Sequence, residues 1–140
     1  MQATLLLADA ANRDADGKVN ALGMGWSITS APTPPMALIM LFKVPWDETN
    51  RKHHLRLSLV DSDGQPVEVP APMGTGPIEV RGEFEAGRPP GVPKGTAIDM
   101  SQVVPVGPGI PLRPGHTYQW RLEIDDQPRE EWVASFYIRP

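Results

Sequence analysis

Between Arg113 and Arg139 the chain alternates apolar and polar residues twice over, and no other stretch limits its possible folds so sharply. His116, Tyr118, Trp120, Leu122 and Ile124 share one register of the first arm, while Thr117, Gln119, Arg121 and Glu123 hold the other. In the second arm Trp132, Ala134, Phe136 and Ile138 alternate with Val133, Ser135, Tyr137 and Arg139. Successive side chains of a strand leave opposite faces, so each arm has one core face and one wet face. Asp125 to Arg129, between the arms, is a polar, turn-forming pentapeptide of hairpin length. The expected element is a β-hairpin with Tyr118, Trp120 and Trp132 as structural core residues and His116 in the inward register.

The remaining chain repeats this logic with less regularity. Gln2–Ala10 reads as a first strand, apolar on parts of both faces, followed by turn chemistry from Asn12 to Gly17. Lys18–Thr29 is expected as a second strand with Leu22, Met24, Trp26 and Ile28 in one register and Val19, Ala21, Gly23 and Gly25 in the other. Glycines at alternate strand positions point to a bulge or close backbone approach. The prolines of Ser30–Pro35 remove backbone donors, so this segment crosses between elements. Met36–Val44 is apolar on both faces, which requires cover on both sides: either a core position or a subunit contact through Leu38, Met40 and Phe42.

Pro45–Lys52 reads as a short helical turn that Asp47 can cap. His53–Asp61 then places Leu55, Leu57 and Leu59 inward and His54, Arg56 and Ser58 outward, and Asp61–Gly64 turns the chain into a short strand over Gln65–Val69. Pro70–Gly76 reads as a loop, and Ile78, Val80, Gly82 and Phe84 form the apolar face of a strand whose other face is charged. Ala86–Thr96 is a Pro/Gly loop, and Ile98–Val106 is a strand interrupted at Pro105. Eight or nine strands, with no sustained helical period, predict an all-β, two-sheet antiparallel sandwich in a single domain over residues 1–140.

Two resemblances sharpen this expectation. The run Arg113-Pro114-Gly115-His116-Thr117-Tyr118-Gln119-Trp120 resembles the tyrosine corner of an immunoglobulin-like sandwich, in which a Tyr hydroxyl turns back to an upstream backbone group. On that likeness Tyr118 is the corner residue, and Trp120 stands where antibody domains place a disulfide Cys. The chain as a whole resembles a bacterial family of small all-β proteins known only as a domain of unknown function. That likeness runs through TLLLADAA (Thr4 to Ala11), DGKVNALGMGW (Asp16 to Trp26), Val44 to Val67, Gly82 to Thr96 and Pro114 to Asp125. It implies the fold and a bacterial origin, and carries no catalytic residue across.

Charge and residue chemistry narrow the function. A net charge of -4, with no long basic run, is the wrong footprint for neutralising phosphates, so no nucleic-acid partner is expected. Met36–Phe42 is far shorter than the roughly 20 apolar residues of a membrane helix, and the N-terminal apolar patch lacks a basic lead, so neither a membrane partner nor a signal peptide is expected. With 0 Cys the chain has no disulfide and no thiolate site, which favours a cytoplasmic setting. His53 and His54, adjacent in a strand, point to opposite faces and cannot chelate one ion together. No Ser sits in a Gly-flanked elbow, and no cofactor motif is present.

The leading expectation is therefore a non-enzymatic interaction or assembly module that binds a protein partner or self-associates. The alternative is a small-ligand or metal-binding domain. Its candidates are Trp46, Asp47 and Glu48 for a carbohydrate or other small ligand, and the turn carboxylates Asp61 and Asp63 for Ca²⁺.

Overall fold

The computed structural model describes residues 1–140 and shows an all-β protein of twelve strands with a single 3-10 turn at Trp46–Glu48. The strands are β1 (Gln2–Ala8), β2 (Ala10–Arg13), β3 (Val19–Leu22), β4 (Ile28–Thr29), β5 (Met36–Val44), β6 (Lys52–Asp61), β7 (Glu68–Ala71), β8 (Gly74–Pro77), β9 (Glu79–Glu85), β10 (Ile98–Val106), β11 (Thr117–Ile124) and β12 (Gln127–Ile138). A three-stranded sheet, β1-β5-β10, packs against a five-stranded sheet, β4-β12-β11-β6-β9, and two ribbons, β2-β3 and β7-β8, complete the structure. All pairings are antiparallel except that of β4 with β12. No helix is long and apolar enough to cross a membrane.

One apolar cluster joins the two larger sheets. Leu5, Leu7, Leu38, Met40 and Phe42 from the smaller sheet meet Leu57, Leu59, Trp120, Leu122, Phe136 and Ile138 from the larger, all buried. Period-2 alternation accounts for this set, because each strand sends every second side chain inward. Phe42 of β5 stacks on Phe84 of β9 at 4.4 Å between centroids, tying the sheets together near one end. Tyr118, Trp120 and Trp132 are buried, and the Arg113 N–H donates to the Tyr118 hydroxyl at 3.0 Å.

The strand count exceeds the eight or nine expected because the two ribbons form where loops or longer strands were read. β5 explains the first. Its inward residues include Leu38, Met40 and Phe42, so these side chains lie in the core and are closed to a partner. Its outward Ala37 and Ile39, with Ala8, form a second buried cluster against Ala11, Val19 and Ala21 of the β2-β3 ribbon. The strand is apolar on both sides because a ribbon of its own chain folds over its back.

The segment expected as one strand over Lys18–Thr29 is broken. Gly23 and Gly25 adopt φ of 60° and 85°, a left-handed backbone that ends β3 and breaks the strand before β4. Leu22 lies on the side of β3 opposite Val19 and Ala21 and faces solvent, as do Met24 and Ile28 around and beyond the break, while Trp26 packs against the core. The second ribbon, β7-β8, takes up the end of the expected Gln65–Val69 strand and most of the segment expected as the Pro70–Gly76 loop, and an isolated bridge between Val60 and Pro66 precedes it. β10 runs unbroken through Pro105, which an edge strand tolerates.

The terminal hairpin forms with a tighter turn than its sequence suggested. Ile124 pairs with Gln127, leaving only Asp125 and Asp126 in the loop, both at positive φ (51° and 62°). This is the backbone of a type I′ turn, which matches the twist of the flanking strands. The ladder then shifts between Arg121 and Glu123, so β12 bulges before Trp132 turns inward. His116 precedes β11 and is exposed, a correction to its expected inward position: it lies in the turn before the strand pairing begins.

Candidate functional site

The buried histidine is His53, at the start of β6, with 1% of its surface exposed. Alternation puts it on the inward side of β6 with Leu55 and Leu57, where its ring stacks on Phe84 at 5.3 Å. Two segments then close on its edges. Its Nδ1 lies 2.7 Å from Asp125 Oδ2 in the β11-β12 turn, and its Nε2 lies 2.7 Å from the Glu48 carbonyl oxygen at the end of the 3-10 turn. The other carboxylate oxygen of Asp125 accepts the His54 N–H at 2.9 Å, and the Asp125 N–H donates to the His54 carbonyl at 2.8 Å.

Burial pushes the Asp125 carboxyl up. The hydrogen bond from His53, the His54 backbone N–H and the charges of the two rings outweigh it, and the net position is below the ordinary 3.8. A His paired to a carboxylate is the arrangement of a general base and its orienting group. Here the outer nitrogen is capped by the Glu48 carbonyl instead of facing a cleft. That geometry serves cohesion and leaves no nitrogen to meet a substrate.

Trp46, Asp47 and Glu48 lie together on the adjoining 3-10 turn, but they do not form an open stacking platform. Arg88 lies 3.9 Å over the Trp46 ring and donates from Nη2 to the Trp46 carbonyl and from Nε to Thr49 Oγ1, each at 2.7 Å. One aromatic face is thus taken by a cation. Asp47 is exposed and makes no cap; Pro45 holds the N-cap position. A shallow concavity of about 490 Å³ borders Trp46 and Asp47, with Met1, Lys43 and Ala97 among its walls.

Asp61 and Asp63 do turn work. Asp61 Oδ1 accepts the N–H groups of Asp63 and Gln65, both at 2.9 Å, which is an Asx turn. Asp14 does the same for Asp16 and Lys18. Nowhere do three His, Asp or Glu side chains converge, so neither turn gains a third ligand, and Ca²⁺ binding at Asp61 and Asp63 finds no geometric support.

The wet face of the five-stranded sheet carries a network of ion pairs. Arg56 sits between Glu79 and Glu123, Arg81 reaches Glu79 at 2.9 Å, and His54 and Lys52 both approach Glu83. Arg56, Arg81, Lys52 and His54 each have a carboxylate beside them, while Arg121 donates to Gln119 instead, so the pairs leave no cationic patch around Glu83 and Glu123.

A different surface stands out. Leu22, Met24 and Ile28 are 73%, 59% and 52% exposed, yet their segment is fastened at several points. The Asp9 N–H donates to the Leu22 and Gly23 carbonyls, the Gly25 N–H to the Leu7 carbonyl at 2.8 Å, and the Tyr137 N–H to the Ser27 carbonyl at 2.8 Å. The period-2 pattern does not show this surface: Leu22 is opposite Val19 and Ala21, whose side of β3 covers β5, and the positive-φ Gly23 and Gly25 break the register around Met24. The signal available was the glycine pair itself.

A family model described as a family of unknown function, DUF6941, matches residues 3–138. The chain belongs to the DUF6941 family. No curated protein and no solved structure matches it. Within this DUF6941 protein the match runs from β1 to the end of β12, so both the His53 cluster and the exposed Leu22–Ile28 segment lie inside the family domain.

Proposed function

We propose that this DUF6941 protein is a non-enzymatic, immunoglobulin-like interaction module that associates with a protein surface, and with a second copy of itself, through Leu22, Met24 and Ile28. The observation that carries the reading is three large apolar side chains in solvent on a backbone pinned by hydrogen bonds. Exposed apolar groups on an ordered segment gain free energy only when something covers them. A fixed backbone also lowers the ordering cost of binding. The Tyr118–Arg113 hydrogen bond supports the immunoglobulin-like part of the reading.

The interface expected at Leu38, Met40 and Phe42 thus moves to another part of the chain, since those side chains are core. Sedimentation velocity over a wide concentration range is the test. The expected result is self-association that M24E with I28E abolishes, while the unfolding free energy of the variant in urea stays within about 0.5 kcal/mol of the parent. A protein that stays monomeric throughout, with M24E and I28E changing nothing, ends the self-association reading.

A further inference from the structure

His53 is boxed in by groups that can only accept. Asp125 presents a carboxylate oxygen to Nδ1, and Glu48 presents a peptide carbonyl to Nε2, both at 2.7 Å. A neutral imidazole has one N–H and one lone pair, so it can satisfy only one of these partners. The other would face its lone pair at hydrogen-bond distance. Only the imidazolium donates to both.

The remaining surroundings do not change this count. Phe84 of β9 covers the ring face and Phe42 of β5 stacks behind it. The Glu48 side chain lies 3.8 Å from the Met1 amino group, and His54 turns outward to Glu83 at 3.5 Å. Lys52 also leans to Glu83, and Arg88 from the following loop bonds the Trp46 and Glu48 turn from its far side, at the Trp46 carbonyl and Thr49 Oγ1.

We propose that His53 is a proton-operated clasp: as the imidazolium it holds the Trp46–Glu48 turn and the β11-β12 turn together across the end of the larger sheet, and loss of one proton opens the Glu48 side. The Glu48 side is the one that opens because a carboxylate is the stronger acceptor and retains the remaining N–H on Nδ1. Nε2 then faces the Glu48 carbonyl with a lone pair, and the Glu48–Thr49 peptide moves away. Trp46 shares that turn, so its surroundings change with the proton, as does the concavity it borders.

Proton and ¹⁵N magnetic resonance of the imidazole tests this in the full chain carrying H54Q and H116Q, so that only His53 titrates. Both ring nitrogens should carry protons on the acid side of the transition, where the clasp is closed. On raising the pH, the ring signals should change in step with the Thr49 amide and the Trp46 indole, while core signals such as Trp120 stay put. D125N, which removes the charged acceptor, should move that coupled transition to lower pH. A ring that never carries both N–H groups in the folded protein overturns the clasp. A ring that titrates without any response at Thr49 and Trp46 overturns it equally.

Discussion

At the scale of single residues, His53 and its neighbours bear the heaviest consequences. H53A removes a buried ring stacked on Phe84 and its two hydrogen-bond contacts, so urea unfolding should show a loss of roughly 2–4 kcal/mol. Asp125 gives a signed pH effect. Its folded carboxyl lies below its ordinary 3.8, so its contribution is present above that value and is lost as pH falls through the lower, folded one. The stability gap between the parent and D125N should therefore be open at neutral pH and close as the pH drops below 3.8, which an acid series of urea melts reads directly. Its size stays modest, because the Asp125 side chain is 44% exposed and solvent screens the pair. Y118F should cost about 1 kcal/mol, since the Arg113 N–H loses its acceptor. That His53 faces inward is legible from its place beside Leu55 and Leu57 in the alternation. That it meets Asp125, 72 positions away, is not.

At the scale of elements, the glycine turn between β3 and β4 separates what local pattern says from what forms. A Cβ on Gly23 would sit 2.1 Å from Asp9 Oδ2, and the residue holds φ at +60°. G23A should therefore destabilise by about 1–2 kcal/mol in urea melts, and adding D9A should recover only part, because relieving the contact leaves the dihedral strain. Leu22, Met24, Trp26 and Ile28 share one period-2 register, but the positive-φ Gly23 and Gly25 break it, and of the four only Trp26 packs against the core. The β2-β3 ribbon shows the converse. Its small apolar residues Ala11 and Ala21 give a weak pattern, yet they cover Ala37 and Ile39 on the back of β5.

At the scale of the whole molecule, one continuous core joins both larger sheets, so the protein should unfold in a single step. L57A, at a fully buried position between the sheets, should lower stability by roughly 2–5 kcal/mol while far- and near-ultraviolet circular dichroism transitions remain coincident. Separate transitions for the two signals would show that the sheets unfold independently. By itself the sequence determined the all-β class, the inward faces of β6, β9, β11 and β12, and the Asp-led turns, because alternation and turn chemistry are set by the sterics of neighbouring residues. Only the tertiary structure decided which strand covers β5, which acceptors enclose His53 and which apolar residues are left in water. Those depend on contacts between distant segments, such as the 2.7 Å approach of Asp125 to His53, and no local period encodes the partner at the other end.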